Sequence, residues 1–146
     1  MTFVFDMDGT LFDLYGVDNW LPQLRAEDTS PYLAAKPMIN FSLLARYLNR
    51  IQRAGHKIMI VSWTSKESSP EYHSQVAWAK FKSLRRHLPS VHWDAIIFAN
   101  YGTEKSTLVK DSKAFLFDDD EGVRANWQGG LAFEPIDIFR VLRCFT

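Results

Sequence analysis

The sequence predicts an α/β fold in which helices cover both faces of a central parallel sheet, a Rossmann-like three-layer sandwich. Short apolar runs rich in β-branched and aromatic residues alternate with segments whose apolar residues recur at helical spacing. Several of the apolar runs stop at an acidic or hydroxyl residue. Because the carboxyl ends of parallel strands meet at one edge of the sheet, ligands bind there, and we expect a functional site at that edge.

Five apolar runs predict the strands. They lie at residues 2–5, 57–61, 95–99, 114–117 and 131–133. Near-continuous apolar runs of this length are typical of strands that are buried on both faces. The first run ends at Asp6, the second at Ser62 and the fourth at Asp118 and Asp119.

Capping residues and helical spacing predict the intervening helices. Asn40 is a suitable N-cap for a helix that stops at Gly55, and Pro70 suits the first position of the next helix. Shorter helices are expected over 103–109, over 123–128 and from Pro135 onward. The apolar face of the helix that begins at Pro70 is predicted to hold Ala77, Phe81, Leu84 and Leu88.

Residues 12–38 interrupt this alternation. They show no sustained period beyond a short helix near Trp20–Leu24, and we interpret them as a flap inserted into a single domain over 1–146, too short for a large cap domain. Arg25 or Lys36 in this segment can reach a phosphate. Four apolar side chains either lie over a substrate or anchor the loop to the core: Tyr15, Trp20, Leu21 and Leu24.

Composition narrows the function classes. The 146 residues are 47% hydrophobic with 17 basic and 17 acidic side chains, which argues against disorder, and the net charge of zero gives no support for a nucleic-acid partner. A single cysteine, Cys144, favours a reducing, cytoplasmic setting. We expect no signal peptide at the N-terminus and no membrane-spanning helix. The oligomeric state stays open.

Two further groups of residues are interpreted as structural. Four of the five tryptophans, at positions 63, 78, 93 and 127, are predicted to pack in or against the core. The basic stretch in the helix that begins at Pro70 is predicted to be a solvated face. That stretch consists of Lys80, Lys82, Arg85 and Arg86.

The acids after the first strand carry the strongest signal. Asp6 and Asp8 lie two residues apart and are followed by Gly9, which permits a turn that points both at one place. Together with Asp118 and Asp119 they would repel one another, and a Mg²⁺ ion with oxygen ligands relieves that repulsion. The alternatives are a surface turn or a calcium loop, but the residues after Thr10 are apolar and do not continue a calcium-loop pattern.

Residues 3–11, FVFDMDGTL, resemble the first motif of the haloacid dehalogenase-like hydrolase superfamily. The strand that ends at Ser62 is similar to the second motif of that superfamily, and the strand that ends at Asp118 and Asp119 is similar to the fourth. The third motif is a lysine before the fourth strand. Three lysines precede that strand, namely Lys105, Lys110 and Lys113.

The resemblance implies a role for each matching residue. Asp6 would be the nucleophile that takes a phosphoryl group, and Asp8 the general acid and base. Ser62 would bind the phosphoryl oxygens, and Thr10 is assigned to substrate binding with it. We choose Lys105 for the third motif, as a catalytic and substrate-binding residue, because it falls in the first turn of a predicted helix at the loop edge of the sheet.

The resemblance also implies a cofactor and a substrate class. Mg²⁺ would be held by Asp6, by Asp8 through its backbone carbonyl, and by Asp118 or Asp119. The implied activity is phosphomonoester hydrolysis through a phospho-aspartyl intermediate. The substrate would be a nucleotide, a sugar phosphate, a nucleic-acid end or a phosphoprotein. Alternatives are phosphoryl transfer to an acceptor other than water and a catalytically silent binding module.

Overall fold

A computed structural model, which describes residues 1–111 and 113–146, contains the predicted parallel sheet. The strand order is β3-β2-β1-β4-β5, and every neighbouring pair is parallel. This confirms the predicted α/β fold class. The strands are β1 (Thr2–Phe5), β2 (Lys57–Trp63), β3 (Ala95–Ala99), β4 (Ala114–Phe117) and β5 (Ala132–Phe133).

Two predicted helix starts carry the expected caps. The Asn40 side chain accepts a hydrogen bond from the backbone N–H of Leu43, and the Ser69 side chain accepts one from the N–H of Tyr72. The α-helices are α1 (Trp20–Arg25), α2 (Ser30–Ala34), α3 (Phe41–Arg53), α4 (Pro70–His87), α5 (Glu121–Ala125) and α6 (Ile138–Arg143). Two 3₁₀ turns, Lys105–Leu108 and Pro135–Asp137, complete the list for the described residues.

Three local expectations differ from the structure. The helix expected over 103–109 is only the 3₁₀ turn Lys105–Leu108, because the Thr103 hydroxyl donates to the carbonyl of Asn100 and does not cap a helix. Helix α5 begins before its expected start at residue 123, because Asp120 accepts from the N–H of Val123 and acts as the N-cap. The sequence does not predict helix α2, since five residues are too few to show a period.

The core lies on both faces of the sheet, as alternation along the strands requires. Phe3 and Phe5 of β1 pack on one side with α3 and α6, whereas Val4 packs on the other side with Trp127. All three β1 residues are fully buried. The central strand is therefore covered on both faces, and the residues that follow its carboxyl end are the first that can meet a ligand.

The buried face of α4 differs from the prediction. Leu84 is buried as predicted, but Ala77 and Phe81 are only partly buried. The residues that face the core are Tyr72, Val76, Ala79, Lys80, Ser83 and Leu84. The prediction that Lys80 lies on a solvated face is wrong, because its exposure is 1%.

The insertion at residues 12–38 lies against α4. Leu14 and Tyr32 form a small apolar cluster with Val76 and Ala79. The hydroxyl of Tyr72 donates to the backbone carbonyl of Asp28 at 2.7 Å. These contacts attach the insertion to the domain, while its role as a flap stays a prediction. Among the described residues, no helix has the length and apolar character that crossing a membrane requires.

Candidate active site

Polar residues at or next to the carboxyl ends of the three central strands meet at one edge of the sheet. Phe5 of β1 pairs with Ile60 of β2 and with Phe117 of β4, so Asp6 lies between the ends of both neighbours. Ser62 and Asp118 are then beside Asp6 on either side. All three residues are at least nine-tenths buried. The geometric expectation from the sequence, that these strand ends converge, therefore matches the structure.

Both carboxylate oxygens of Asp6 accept hydrogen bonds. Oδ1 accepts from Lys105 Nζ at 2.9 Å and from Ser62 Oγ at 3.4 Å. Oδ2 accepts from Thr10 Oγ1 at 3.0 Å. A buried carboxylate needs such partners, since an unpaired buried charge is very unfavourable. The contacts also fix the orientation of the Asp6 side chain.

Lys105 links two acids. Its Nζ lies 2.9 Å from Asp6 Oδ1 and 2.7 Å from Asp118 Oδ2, and the lysine is 4% exposed. Burial lowers the pKa of Lys105, but the carboxylates of Asp6 and Asp118 raise it by more, so the amine stays cationic. Lys110 and Lys113, the other candidates for the third motif, are exposed.

A second buried lysine, Lys80, binds Asp8, although its sequence context predicts a solvated face. The Nζ of Lys80 donates to Asp8 Oδ2 and to Ser62 Oγ, each at 2.7 Å, and to the carbonyl of Trp63 at 2.8 Å. These three bonds use all three of its donors. Burial raises the pKa of Asp8, and the negative charge of Asp6 raises it further. The cation of Lys80 lowers this pKa, but the net shift is upward.

The turn that follows Asp8 depends on Gly9. Its φ is 79°, in the left-handed region. A Cβ at this position would lie 2.3 Å from Oδ2 of Asp119 and 2.9 Å from Cε2 of Tyr15. Only glycine therefore lets this turn pass so close to Asp119.

Three carboxylates form a candidate metal site. Asp6, Asp118 and Asp119 can each offer one oxygen, and the three oxygens lie within 4.8 Å of one another. Burial raises the pKa of Asp118 to about 6 and that of Asp119 to about 7, and the charge of Asp6 contributes to both increases. Hard oxygen donors in a repelling cluster fit Mg²⁺. The Asp8 carboxylate is outside this group, so a ligand role for Asp8 rests on its backbone carbonyl and stays a prediction.

Thr10 contacts two of the acids. It is fully buried, its hydroxyl donates to Asp6, and it accepts from the backbone N–H of Asp119 at 3.2 Å. Thr10 does not line the cavity described next. These hydrogen bonds orient the two acids, and a substrate-binding role for Thr10 stays a prediction.

A cavity of about 440 Å³ opens above the acids. Asp6, Asp8, Ser62 and Lys105 lie on its polar floor, with Asp118 and Asp119 beside them. The insertion supplies one part of its wall, namely Leu14, Tyr15, Trp20, Leu21, Leu24, Arg25 and Tyr32. Lys36, the other candidate for reaching a phosphate, is exposed and outside the cavity lining.

The raised pKa values predict how stability depends on pH without metal. Asp118 and Asp119 bind protons more tightly in the folded chain than at their usual value of 3.8, so the free energy of unfolding falls as pH rises from about 4 to about 7. We expect added Mg²⁺ to raise the melting temperature at pH 8, by on the order of 5 °C, and to have little effect at pH 5.

Thermal unfolding with a chelator or with Mg²⁺ checks this expectation. Asp119→Asn should weaken the pH dependence of the melting temperature without metal and reduce the increase caused by Mg²⁺. Asp18→Asn, at an exposed residue of the insertion, should change neither quantity. A metal-free melting temperature that rises steadily from pH 5 to pH 8 would contradict the assignment.

Comparisons with known proteins support the fold. No family model matches the chain, and no curated protein matches it. A solved structure, the D,D-heptose 1,7-bisphosphate phosphatase from Burkholderia thailandensis, superposes with a TM-score of 0.51 and 12% sequence identity. The match covers 89% of this chain and 74% of that one. At this identity the likeness establishes a shared α/β architecture.

Proposed function

We propose that this protein is a Mg²⁺-dependent phosphomonoester hydrolase of the haloacid dehalogenase-like superfamily that works through a phospho-aspartyl intermediate on Asp6. The observation that carries the proposal is the arrangement around Asp6. Its carboxylate lies on the cavity floor beside Lys105 and Ser62, with Asp118 and Asp119 close enough to share a cation. The phosphatase identity of the structural neighbour agrees with this activity.

The first step transfers the phosphoryl group to the protein. A carboxylate oxygen of Asp6 forms a bond to phosphorus as the bond from phosphorus to the leaving oxygen breaks. Asp8, whose pKa is raised, donates its proton to that leaving oxygen. The products are an aspartyl phosphate and the free alcohol.

The second step restores the protein. Asp8, now ionised, takes a proton from a water molecule as the water oxygen attacks phosphorus. The bond from phosphorus to Asp6 breaks, which releases inorganic phosphate and the Asp6 carboxylate. This two-step route replaces one slow hydrolysis by two easier displacements.

The remaining polar groups stabilise charge. Lys105 and Ser62 already contact Asp6 Oδ1, and from there they can donate to phosphoryl oxygens as negative charge develops. Mg²⁺ bound by Asp6, Asp118 and Asp119 would neutralise the negative charge of the phosphate. The phosphate could then approach three carboxylates that would otherwise repel it.

Release of inorganic phosphate by the purified protein tests the proposal. We expect turnover of small phosphate monoesters and of acetyl phosphate, dependent on Mg²⁺ and abolished by a chelator. Acid quenching during turnover, followed by peptide mass analysis, should find a phosphoryl group on the peptide that contains Asp6. Added alcohols that receive the phosphoryl group in place of water would indicate a transferase. Binding without turnover would overturn the proposal in favour of a silent module.

Lys80 is expected to be a positioning residue for Asp8. It contacts Asp8 and Ser62 but does not line the cavity. We expect Lys80→Met to lower kcat by roughly 10- to 100-fold, with a smaller change in KM, because Asp8 and Ser62 lose their shared donor. Since Lys80 lowers the pKa of Asp8, its loss should also move the limb of the pH–rate profile that belongs to Asp8 to higher pH.

Lys82→Met is the matched control for this variant. Lys82 lies two residues further along α4 and is exposed, so its replacement should leave kcat and the pH profile unchanged. If Lys80→Met lost activity only in proportion to lost folded protein, with an unshifted pH profile, the lysine would be structural alone.

A further inference from the structure

The cavity has more room than a phosphate group needs. Its volume of about 440 Å³ falls within the range of sites that enclose a whole small molecule. The phosphate occupies the floor near Asp6 and Lys105 under the proposed function. The rest of the cavity must therefore accept the leaving group, and its lining indicates the chemistry of that group.

Two aromatic pairs line this upper part. Trp63, at the end of β2, contacts Tyr101 after β3, with ring centroids 4.9 Å apart. Tyr15 and Trp20 of the insertion contact each other at 5.0 Å. All four side chains line the cavity. The two pairs come from separate segments, so the aromatic character does not arise from one local sequence.

These rings are available to a ligand. Tyr15 and Tyr101 are each 52% exposed, which is unusual for aromatic rings that serve only to pack a core. Trp63 is held in place, because its Nε1 donates to the carbonyl of Thr103 at 2.8 Å. The two rings are inclined at 55° to each other, so a flat ring can stack on one of them while the other lies beside it.

The rest of the wall mixes apolar side chains with polar ones such as Thr64 and Ser65, and its apolar part favours a planar base over a bare sugar. Leu14, Leu21 and Leu24 share the wall with the aromatic side chains. A sugar presents hydroxyl groups on its edges and both faces, and the leucine side chains would leave the hydroxyls that face them without partners. A nucleobase has two apolar faces that such a wall can cover.

Charge at the cavity argues against a nucleic-acid strand. Apart from Lys105, the cationic side chains among its described lining residues are Arg25 and Lys66, and the acids Glu67 and Asp120 are also there. Strand binding depends on many lysine and arginine contacts to phosphates. The net charge of the chain is zero. A single nucleotide needs no such track.

From these observations we infer that the leaving group is a nucleoside and that the substrate is a free nucleoside monophosphate whose base stacks on the aromatic pairs of the cavity. The inference rests on the proposed phosphatase function. It assigns Trp63 and Tyr101 to substrate recognition.

Matched substrates test the contribution of the base. We expect kcat/KM for at least one of the 5′-monophosphates of adenosine, guanosine, cytidine and uridine to exceed that for ribose 5-phosphate by about tenfold or more. Tyr101→Ala should lower this ratio about tenfold, as expected for the loss of one stacking contact. Tyr101→Phe, which keeps the ring, should lower it much less. Trp78→Ala, at an exposed tryptophan of α4 outside the cavity, should leave the ratio at its wild-type value.

Calorimetric binding to Asp6→Asn separates the inference from the proposed activity. Nucleotides that bind about tenfold tighter than ribose 5-phosphate would support the inference even if no phosphate were ever released. Equal kcat/KM and equal affinity for nucleotides and for ribose 5-phosphate would overturn the inference. Turnover of both substrates would still leave the phosphatase proposal intact. A strong preference for a 5′-phosphorylated oligonucleotide over every mononucleotide would also overturn the inference, in favour of a strand end.

Discussion

Asp6→Asn is expected to reduce phosphate release by about 10⁴-fold or more and to eliminate the acid-stable phosphoryl group. The amide keeps the shape of the side chain but lacks a carboxylate oxygen that can attack phosphorus. Lys105 and Ser62, which contact Asp6 Oδ1, remain to bind phosphate. The variant should therefore still bind substrate while it loses chemistry.

Asp18→Asn is a control for the same chemical change at an exposed site of the insertion, and it should retain wild-type turnover. Melting temperatures establish that both variants are folded. If Asp6→Asn kept more than about a tenth of the wild-type rate, or if a phosphoryl group still appeared on another residue, Asp6 would not be the nucleophile.

The residues around Asp6 are the most accessible to prediction from the sequence. A buried parallel strand is a continuous apolar run, so the residue that ends it falls at the carboxyl edge of the sheet. Asp6 and Asp118 follow this rule in the structure, whereas Ser62 lies one residue before the end of β2. The choice of Lys105 rests on its closeness to that edge. Lys105 does contact Asp6 and Asp118 there, although the expected helix is a 3₁₀ turn.

Lys80 cannot be placed in the same way. A lysine within a basic stretch is ordinarily solvated, and Ala77 and Phe81 suggest a different apolar face for α4. The buried stripe instead follows Val76, Ala79 and Leu84, and Lys80 lies on it. Tertiary contacts permit the burial of Lys80, because Asp8 and Ser62, which come from other segments of the chain, both accept hydrogen bonds from it. Sequence spacing within one helix contains no information about such partners.

The cavity wall is predictable only in part. The apolar side chains of the insertion are expected either to cover a substrate or to anchor the loop to the core. In the structure, this one segment both lines the cavity and packs against the domain. Trp20 and Leu24 pack against the apolar cluster that joins the insertion to α4, while Tyr15 stays half exposed on the cavity wall. The sequence suggests only a packing role for Trp63, because nothing in its local sequence indicates that Tyr101 lies beside it.

Asp8→Asn is expected to have an effect that depends on the leaving group. For a phosphate ester of an ordinary alcohol, the rate should fall by roughly 10²- to 10⁴-fold, because the departing alkoxide needs the proton that Asp8 supplies. For acetyl phosphate, whose leaving group is a stable carboxylate, formation of the aspartyl phosphate should be much less affected. The intermediate should then accumulate, because the asparagine side chain of this variant cannot deprotonate the attacking water.

Rapid-quench measurements on both substrates distinguish this role from a structural one. The asparagine carbonyl can still accept a hydrogen bond from Lys80, so the local fold should persist. Asp13→Asn, at an exposed acid of the same loop region, should behave like the wild type with both substrates. An equal loss for the alkyl ester and for acetyl phosphate, without accumulation of the intermediate, would show that Asp8 transfers no proton. The upward pKa shift of Asp8 beside a buried lysine would then have no part in the chemistry of the site, and the ion pair with Lys80 would serve its architecture alone.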